Sequence, residues 1–421
     1  MLPAVTCSVQ STFLTGETPA GHGVVGNGWY FRELGEVLLW RQHNALVGGE
    51  KLWDAARRRH PGYTVANICW WYAMGADVDW TVTPRPIYYA DGRKEPDCYT
   101  YPPGLHDELT GALGPFPLFT YWGPTAAMPS SRWICQAATH VMKTHNPDLT
   151  LVYVPHLDYD LQRFGSSGPE AAAAASALDE VLAPLLDAAA ARGATVVALS
   201  EYGITDVSRP VDINRALRAE GLLQVYRQDG MEYLDPGRPA PSPSPTTRWP
   251  TCTCATPATS PRWPNCAPPT PAWPRCWTRR ARRRTAWTTP LRRAGPGRRP
   301  RRVVHLLLLA GRRRGPGLRP HRGHPQEARL RPRRALLRPR RPLAAKRRAA
   351  TALARKKLGM RYLMNAIGLD AGARAIRGSH GRLPADPADA PVLLCSDPSA
   401  ARDGLAATDV KDFLLSLTGP A

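Results

Sequence analysis

The chain has 421 residues, enough for one large α/β domain or for two or three average ones, and a net charge of +22. A charge of that size points to a nucleic-acid or anionic-membrane partner, but residues 239–350 hold 29 of the 56 basic side chains and a single acid, Glu327, so the rest of the chain is mildly acidic. Basicity is therefore a property of one block, and no apolar run in the sequence approaches the ~20 residues of a membrane span.

The N-terminal stretch "MLPAVTCSVQ" lacks a basic segment followed by an apolar core, so no signal peptide is expected and a cytoplasmic location is the default. The spacing predicts a helix over 49–60 and a strand over 63–71, where "YTVANICWW" is β-branched and aromatic. A second helix is expected over 130–146. The continuous apolar runs "LTLVYVP" (149–155) and "ATVVALS" (194–200) suit strands covered on both faces, as in a parallel sheet. Between them lies an Ala- and Leu-rich segment, 168–193, acidic near its start and closed by Arg192 and Gly193, which reads as a strong helix. Strand, helix and strand at this spacing make a βαβ unit. "PVLLCS" (391–396) reads as a late strand.

At about residue 239 both periodicities stop, and Pro, Ser, Thr, Trp, Cys and Arg dominate. Order returns at about 343 with a basic helix, giving three segments: a core over 1–238, an Arg/Pro-rich block over 239–342, and a C-terminal part of the same core over 343–421. Three readings of the block compete. It is a disordered basic arm for nucleic acid, a stiff Pro-rich linker, or a GC-rich gene translated out of frame. Codons chosen for 240–251, 304–313 and 317–332 give strings richer in acids and aromatics when read one or two bases later, which favours the last reading. On that view "VHLLLLAGRRR" (304–314) is the shadow of a Tyr/Trp-rich strand. The C-x-C at Cys252 and Cys254 has no second Cys/His pair at zinc-site spacing, and the cysteines outside the block fit thiols of a reducing compartment.

The sharpest signal is "PAVTCSVQSTFLTGETPAGHGVVGN" (3–27). Thr6 stands ten residues before Gly16, and P-x-x-H-G-V-V-G-N runs from Pro19 to Asn27. This resembles the nucleotide pyrophosphatase/phosphodiesterase branch of the alkaline phosphatase superfamily. The resemblance implies an alkaline-phosphatase-like α/β fold, a mostly parallel sheet with helices on both faces. It makes Thr6 the nucleophile at the start of a helix and Asn27 a holder of a phosphoryl oxygen. A threonine hydroxyl needs a metal or base to become nucleophilic, and a helix N-terminus offers free N–H groups and a positive dipole end to phosphate. His22, within the same motif, is read as structural.

The family's metal ligands follow in three further places. In "VYVPHLDYDLQRFG" (152–165), Asp158 takes the family's Asp position and Gln162 replaces its His. In "LSEYGIT" (199–205), Glu201 and Tyr202 stand for Asp and His. In "RGSHGRLP" (377–384), His380 supplies the last ligand. Each falls after an expected strand, where ligands gather in open α/β sheets. With two histidines replaced, oxygen donors favour Mn²⁺ or Mg²⁺ over a His-rich Zn²⁺ pair, or one ion over two. Asp160 and His156 are the nearby side chains that could substitute. The family's first strand and its Asp ligand, expected before the nucleophile, are missing from a chain that starts five residues before Thr6.

The resemblance thus implies metal-dependent hydrolysis of a small phosphoryl ester or nucleotide. The alternatives are a catalytically impaired relative acting as a binding or scaffold protein, and nucleic-acid binding through the basic block. Nucleic acid is not the partner expected on the first reading. Nothing in the sequence speaks to oligomeric state.

Overall fold

The computed structural model describes residues 2–91, 94–208, 211–228, 231–236, 303–308, 354, 376–400, 402 and 404–418. The basic helix expected from about 343, and most of the block whose three readings compete, lie outside the described residues.

A seven-stranded sheet forms the centre. In chain order its strands are β1 (Val65–Ile68), β2 (Trp80–Pro84), β3 (Cys98–Tyr101), β4 (Leu149–Val154), β5 (Thr195–Leu199), β6 (Val303–Leu308) and β7 (Leu393–Cys395). Across the sheet they run β7-β5-β6-β4-β1-β2-β3. The inner five are parallel, and β7 and β3 are antiparallel edges. β4 is buried along its whole length, as its unbroken apolar run requires of a strand covered on both faces.

Helices cover both faces. They are α1 (Thr6–Thr15), α2 (Leu52–Arg59), α3 (Gly104–Leu113), α4 (Met128–His145), α5 (His156–Phe164), α6 (Pro169–Ala191) and α7 (Val410–Ser416). α4, α5 and α6 pack on one another and on β4 and β5, while α1, α2 and α7 form a second group. The long α6 starts with Pro169 in its first turn, and the chain reverses at Gly193, which holds a left-handed φ of 61°. One apolar cluster joins Phe13, Trp53, Ile68, Ile134, Val152, Leu185 and Phe413 across both layers.

Two elements differ from the sequence expectation in a way that bears on the site. The strand-helix-strand unit read at 149–200 is present as β4, α6 and β5, but β6 lies between its strands: Leu306 pairs with Val152 on one side and Ala198 on the other. Val303–Leu308, from the block read as patternless, thus occupies a strand position in the middle of the sheet. The strand expected over 63–71 stops at Ile68, because Cys69 turns out of the sheet at a φ of 65° and the Trp70 N–H closes onto Asn67 Oδ1 at 3.0 Å. No helix among the described residues is long and apolar enough to cross a membrane.

Candidate active site

α1 begins at Thr6, with Val5 extended before it and Gly16 ending it at a left-handed φ of 72°. Every residue of α1 is buried. An unbroken buried face explains why this helix carries no amphipathic pattern in the sequence and was legible only through its motif. The motif's middle forms a short turn, Pro19–His22, closed by Gly23 at a φ of 80°. His22 is buried there. The Val24 N–H donates to its Nδ1 at 3.1 Å, so its Nε2 carries the proton and donates to Thr12 Oγ1 at 3.0 Å. Burial pushes the His22 imidazole down to about 4, which keeps it neutral and structural. The motif ends with Asn27, whose Oδ1 accepts from the Cys7 N–H at 3.0 Å. That bond fixes the amide's orientation and leaves its NH₂ end to donate beside Thr6.

The remaining sequence-derived candidates come from the C-terminal ends of parallel strands. Asp158 and Gln162 lie one turn apart on α5, just after β4. Glu201 and Tyr202 follow β5 directly and are 3% exposed each. His380 arrives on a strap tied down at several points. Gly378 and Ser379 pair with Asp206 and Thr205, the Arg377 N–H donates to the Gln162 carbonyl, and Ala4 bridges Gly381. Gly378 passes so close to the Leu161 carbonyl that no side chain fits there.

These elements bring Thr6, Asp158, Gln162, Glu201, Tyr202 and His380 together, with Thr6, Glu201 and Tyr202 buried and the others half-buried, while half-buried Asn27 meets α1 at the Cys7 N–H. The Thr6 hydroxyl lies 3.2 Å from the Tyr202 hydroxyl. The Tyr202 ring stacks flat on His380, with centroids 3.7 Å apart and planes 3° from parallel. His380 Nδ1 donates to the Ala4 carbonyl at 3.0 Å, so in the neutral ring Nε2 is bare, and it stands 3.7 Å from Asp158 Oδ1. Gln162 faces Asp158 through its side chain. Asp158 Oδ1 and Glu201 Oε2 are both buried and accept no hydrogen bond among the described residues.

Burial dominates the electrostatics. It pushes the Glu201 carboxyl up to about 8, with the Asp158 charge adding to the rise and Gln10, Thr6 and Tyr202 pulling it back. It also raises Asp158, against the opposing pull of His380, Gln162 and Tyr202. The Tyr202 phenol is driven well above its ordinary range by burial and by the two carboxylates, so it is a neutral hydroxyl. Two groups named as possible substitutes go elsewhere. His156 and Asp160 line a small cleft with Tyr121, Tyr159 and Arg163, and Asp160 is held by Arg163 at 2.9 Å.

Sequence reasoning missed Gln10, the Cys7 N–H and the Ala4 carbonyl. Gln10 is fully buried, donates to Glu201 Oε1 at 2.6 Å and accepts from the Trp71 N–H at 2.6 Å. Its place four residues after Thr6, on the same face of a helix, is the signal that could have found it. The backbone partners carry no side-chain signature. Among the described residues no group of three or more His, Cys, Asp or Glu side chains is arranged to hold an ion. Asp158 and His380 converge as a pair.

A mostly parallel sheet of this order with helices packed against it defines an α/β protein. The family model described as type I phosphodiesterase / nucleotide pyrophosphatase matches residues 1–247, more than half of the chain, and the chain belongs to that family, within the alkaline phosphatase superfamily. No curated protein matches the chain. Among solved structures it is similar to phosphonoacetate hydrolase from Sinorhizobium meliloti 1021, in complex with phosphonoformate at 16% identity and a TM-score of 0.37. The same enzyme in complex with phosphonoacetate gives 17% and 0.36. Each comparison covers 53% of this chain and 54% of the other, so the chain spans about half the length of those solved chains.

Proposed function

We propose that this chain hydrolyses a small phosphodiester, pyrophosphate or related phosphoryl ester with Thr6 as nucleophile. The observation that carries this is the Thr6 hydroxyl, at the first turn of α1, buried with Glu201 and Tyr202, with the half-buried Asp158 and His380 beside them. The substrate's phosphoryl group sits at the N-terminus of α1, whose dipole end favours negative charge. The Asn27 amide, anchored through Cys7, donates to a phosphoryl oxygen where charge develops. Tyr202, a neutral hydroxyl, orients Thr6. Glu201, whose carboxyl burial raises to about 8, takes the Thr6 proton only in its ionised form, as the hydroxyl attacks phosphorus in line and the alcohol or phosphate leaves. Water then cleaves the phosphothreonine and restores the hydroxyl.

The family implies one or two divalent ions. An unpartnered Asp158 oxygen facing a bare His380 nitrogen at 3.7 Å fits one of them, since ligands ~2 Å from a single ion stand roughly 3 to 4 Å apart. Among the described residues these two protein donors converge, which suits an ion that keeps water or substrate oxygens in its shell, such as Mg²⁺ or Mn²⁺, more than a closed Zn²⁺ site. Bound there, it would neutralise charge on the transferring phosphoryl group. Tyr202 and Gln162 then serve as neighbours of the ligands. Tyr202, protonated and stacked on His380, is a partner of Thr6.

Hydrolysis of a chromogenic phosphodiester in the presence of Mn²⁺ or Mg²⁺, abolished by Thr6→Ala, tests the reading. A second reading, binding without turnover, is favoured by the absence of a three-ligand group among the described residues. It predicts that the ion and a nucleotide bind while no product forms.

A further inference from the structure

Directly after Asn27 the chain forms a hairpin outside the central sheet. Gly28–Phe31 and Glu36–Leu39 pair antiparallel and make a two-stranded sheet of their own. A lone hairpin is marginally stable in water, so its apolar side chains need a cover. One face has it: the Trp29 and Phe31 rings stack with centroids 5.0 Å apart, and Trp29 packs against the cluster of Cys7, Val24, Trp71 and Tyr72. The other face carries Tyr30, Val37 and Leu39, because directly paired residues and residues two apart share a face. Val37 and Leu39 are exposed there, as are Leu34 in the turn and Val25 and Trp40 at the roots, all between 42 and 62%. Large apolar side chains gathered and uncovered in one place mark a binding surface.

Three observations tie this surface to the phosphoryl site. The Trp40 N–H donates to the Asn27 carbonyl at 2.8 Å, so the hairpin closes on the residue proposed to hold a phosphoryl oxygen. Leu39 lies across Gly28, where no side chain fits, and this seats an apolar group beside Asn27. Trp40 holds a left-handed φ of 54°, which a bulky residue adopts only where its surroundings enforce it, and its ring packs edge-on against Trp71 at 5.3 Å. We infer that this face is the substrate's apolar subsite: the ester hydrolysed at Thr6 carries an elongated alkyl group that lies along Leu39, Val37 and Tyr30 while Asn27 holds the phosphoryl oxygen. The shape and the chemistry agree. Strands of four residues extend the stripe roughly 13 Å from Asn27. Its side chains offer no charge and a single hydroxyl, on Tyr30, which suits a run of methylenes and gives the polar edges of a sugar or base little to pair with.

This inference rests on the proposed role of Thr6, and its test separates the two. The full chain, with Mn²⁺ supplied, is assayed on the p-nitrophenyl diesters of ethyl, butyl, hexyl and octyl phosphate, each below its micelle concentration. Wild type, Val37→Ser, Leu39→Ser and Thr6→Ala are compared in kcat/KM and in Tm. A fully buried methylene contributes about fourfold in affinity and a half-covered one about twofold, so kcat/KM in wild type rises roughly 50-fold from ethyl to octyl. The octyl-to-ethyl ratio falls at least about fivefold in each serine variant, a readout that general damage to the fold does not move. A flat series in wild type, with turnover still lost in Thr6→Ala, overturns the inference and leaves the hydrolase reading standing. A wild-type ratio in both serine variants also overturns it. A flat series together with co-sedimentation on phosphatidylcholine vesicles assigns the hairpin to a bilayer surface and overturns it as well. A wild-type chain that hydrolyses none of the four esters overturns the functional reading and the inference with it.

Discussion

At the N-terminal ends of β1 and β4, the carboxylates are paired. Asp148 Oδ2 accepts from both the N–H and the hydroxyl of Thr64, and the Asp148 N–H donates in turn to the Thr64 hydroxyl oxygen and carbonyl. Asp79, just before β2, binds the Val65 N–H and Arg57, and Glu108 receives both His140 and His145, whose ring stacks on Trp80. At the other end of the same strands the chain buries two carboxyl groups and leaves one oxygen of each without a hydrogen bond. The first arrangement contributes stability. The second withholds it, since a buried carboxyl that meets no partner costs free energy, and such a cost persists where a ligand or a reaction uses the group.

The contrast can be broken from either end. The largest effect is expected at Thr6: Thr6→Ala lowers kcat at least about a thousandfold while Tm stays within a few degrees, read by turnover and melting. Next, Asp158→Ala weakens Mn²⁺ binding by roughly 10- to 100-fold, measured by calorimetry, and raises Tm or leaves it unchanged, because a carboxyl whose buried Oδ1 accepts no hydrogen bond is removed. At the paired end the signs reverse. Asp148→Ala strands the Thr64 N–H and hydroxyl, costs about 2 kcal/mol in denaturant unfolding, and leaves kcat and KM per folded molecule unchanged.

The smallest effect depends on pH. The folded chain holds the proton on Glu201 up to about pH 8, whereas an unfolded glutamate releases it near its ordinary 4.5. In the ion-free protein the folded state therefore binds more protons between these values, and Glu201 erodes stability as pH rises through that window. Glu201→Gln should melt close to wild type at pH 4.5 and increasingly above it toward pH 8. A gap that shrinks with rising pH would contradict the assignment.

Much of this plan was legible in the sequence, for identifiable reasons. β4, α6 and β5 declared themselves through unbroken apolar runs and an Ala-rich segment with clear ends. Thr6, Asn27, Asp158, Gln162, Glu201, Tyr202 and His380 were found through motif spacing, and the fold gathers them. What escaped notice is what spacing does not encode. Gln10 reads as one polar residue in a helix without an amphipathic stripe, and its meaning comes from Glu201, which is 191 positions away. The Tyr202–His380 stack joins two separate loops, so neither loop announces it. β6 sits in a stretch whose composition hides any period.

That strand sets a dimension and a schedule. β4 and β5 end in the loops that carry Asp158 and Glu201, and β6 between them holds the two strands apart by two inter-strand spacings, roughly 10 Å. The separation of those two loops is thus fixed by a segment from the Arg/Pro-rich block. It is also made late. On the ribosome, β5 emerges roughly 100 residues before β6, an interval of about 5 to 20 seconds at ordinary synthesis rates. Through that interval the nascent chain presents two unpaired strand edges where the centre of its sheet will be. Before then β4, β1, β2 and β3 can pair among themselves, while β5 has no partner at all, because β7 too follows β6 in the chain.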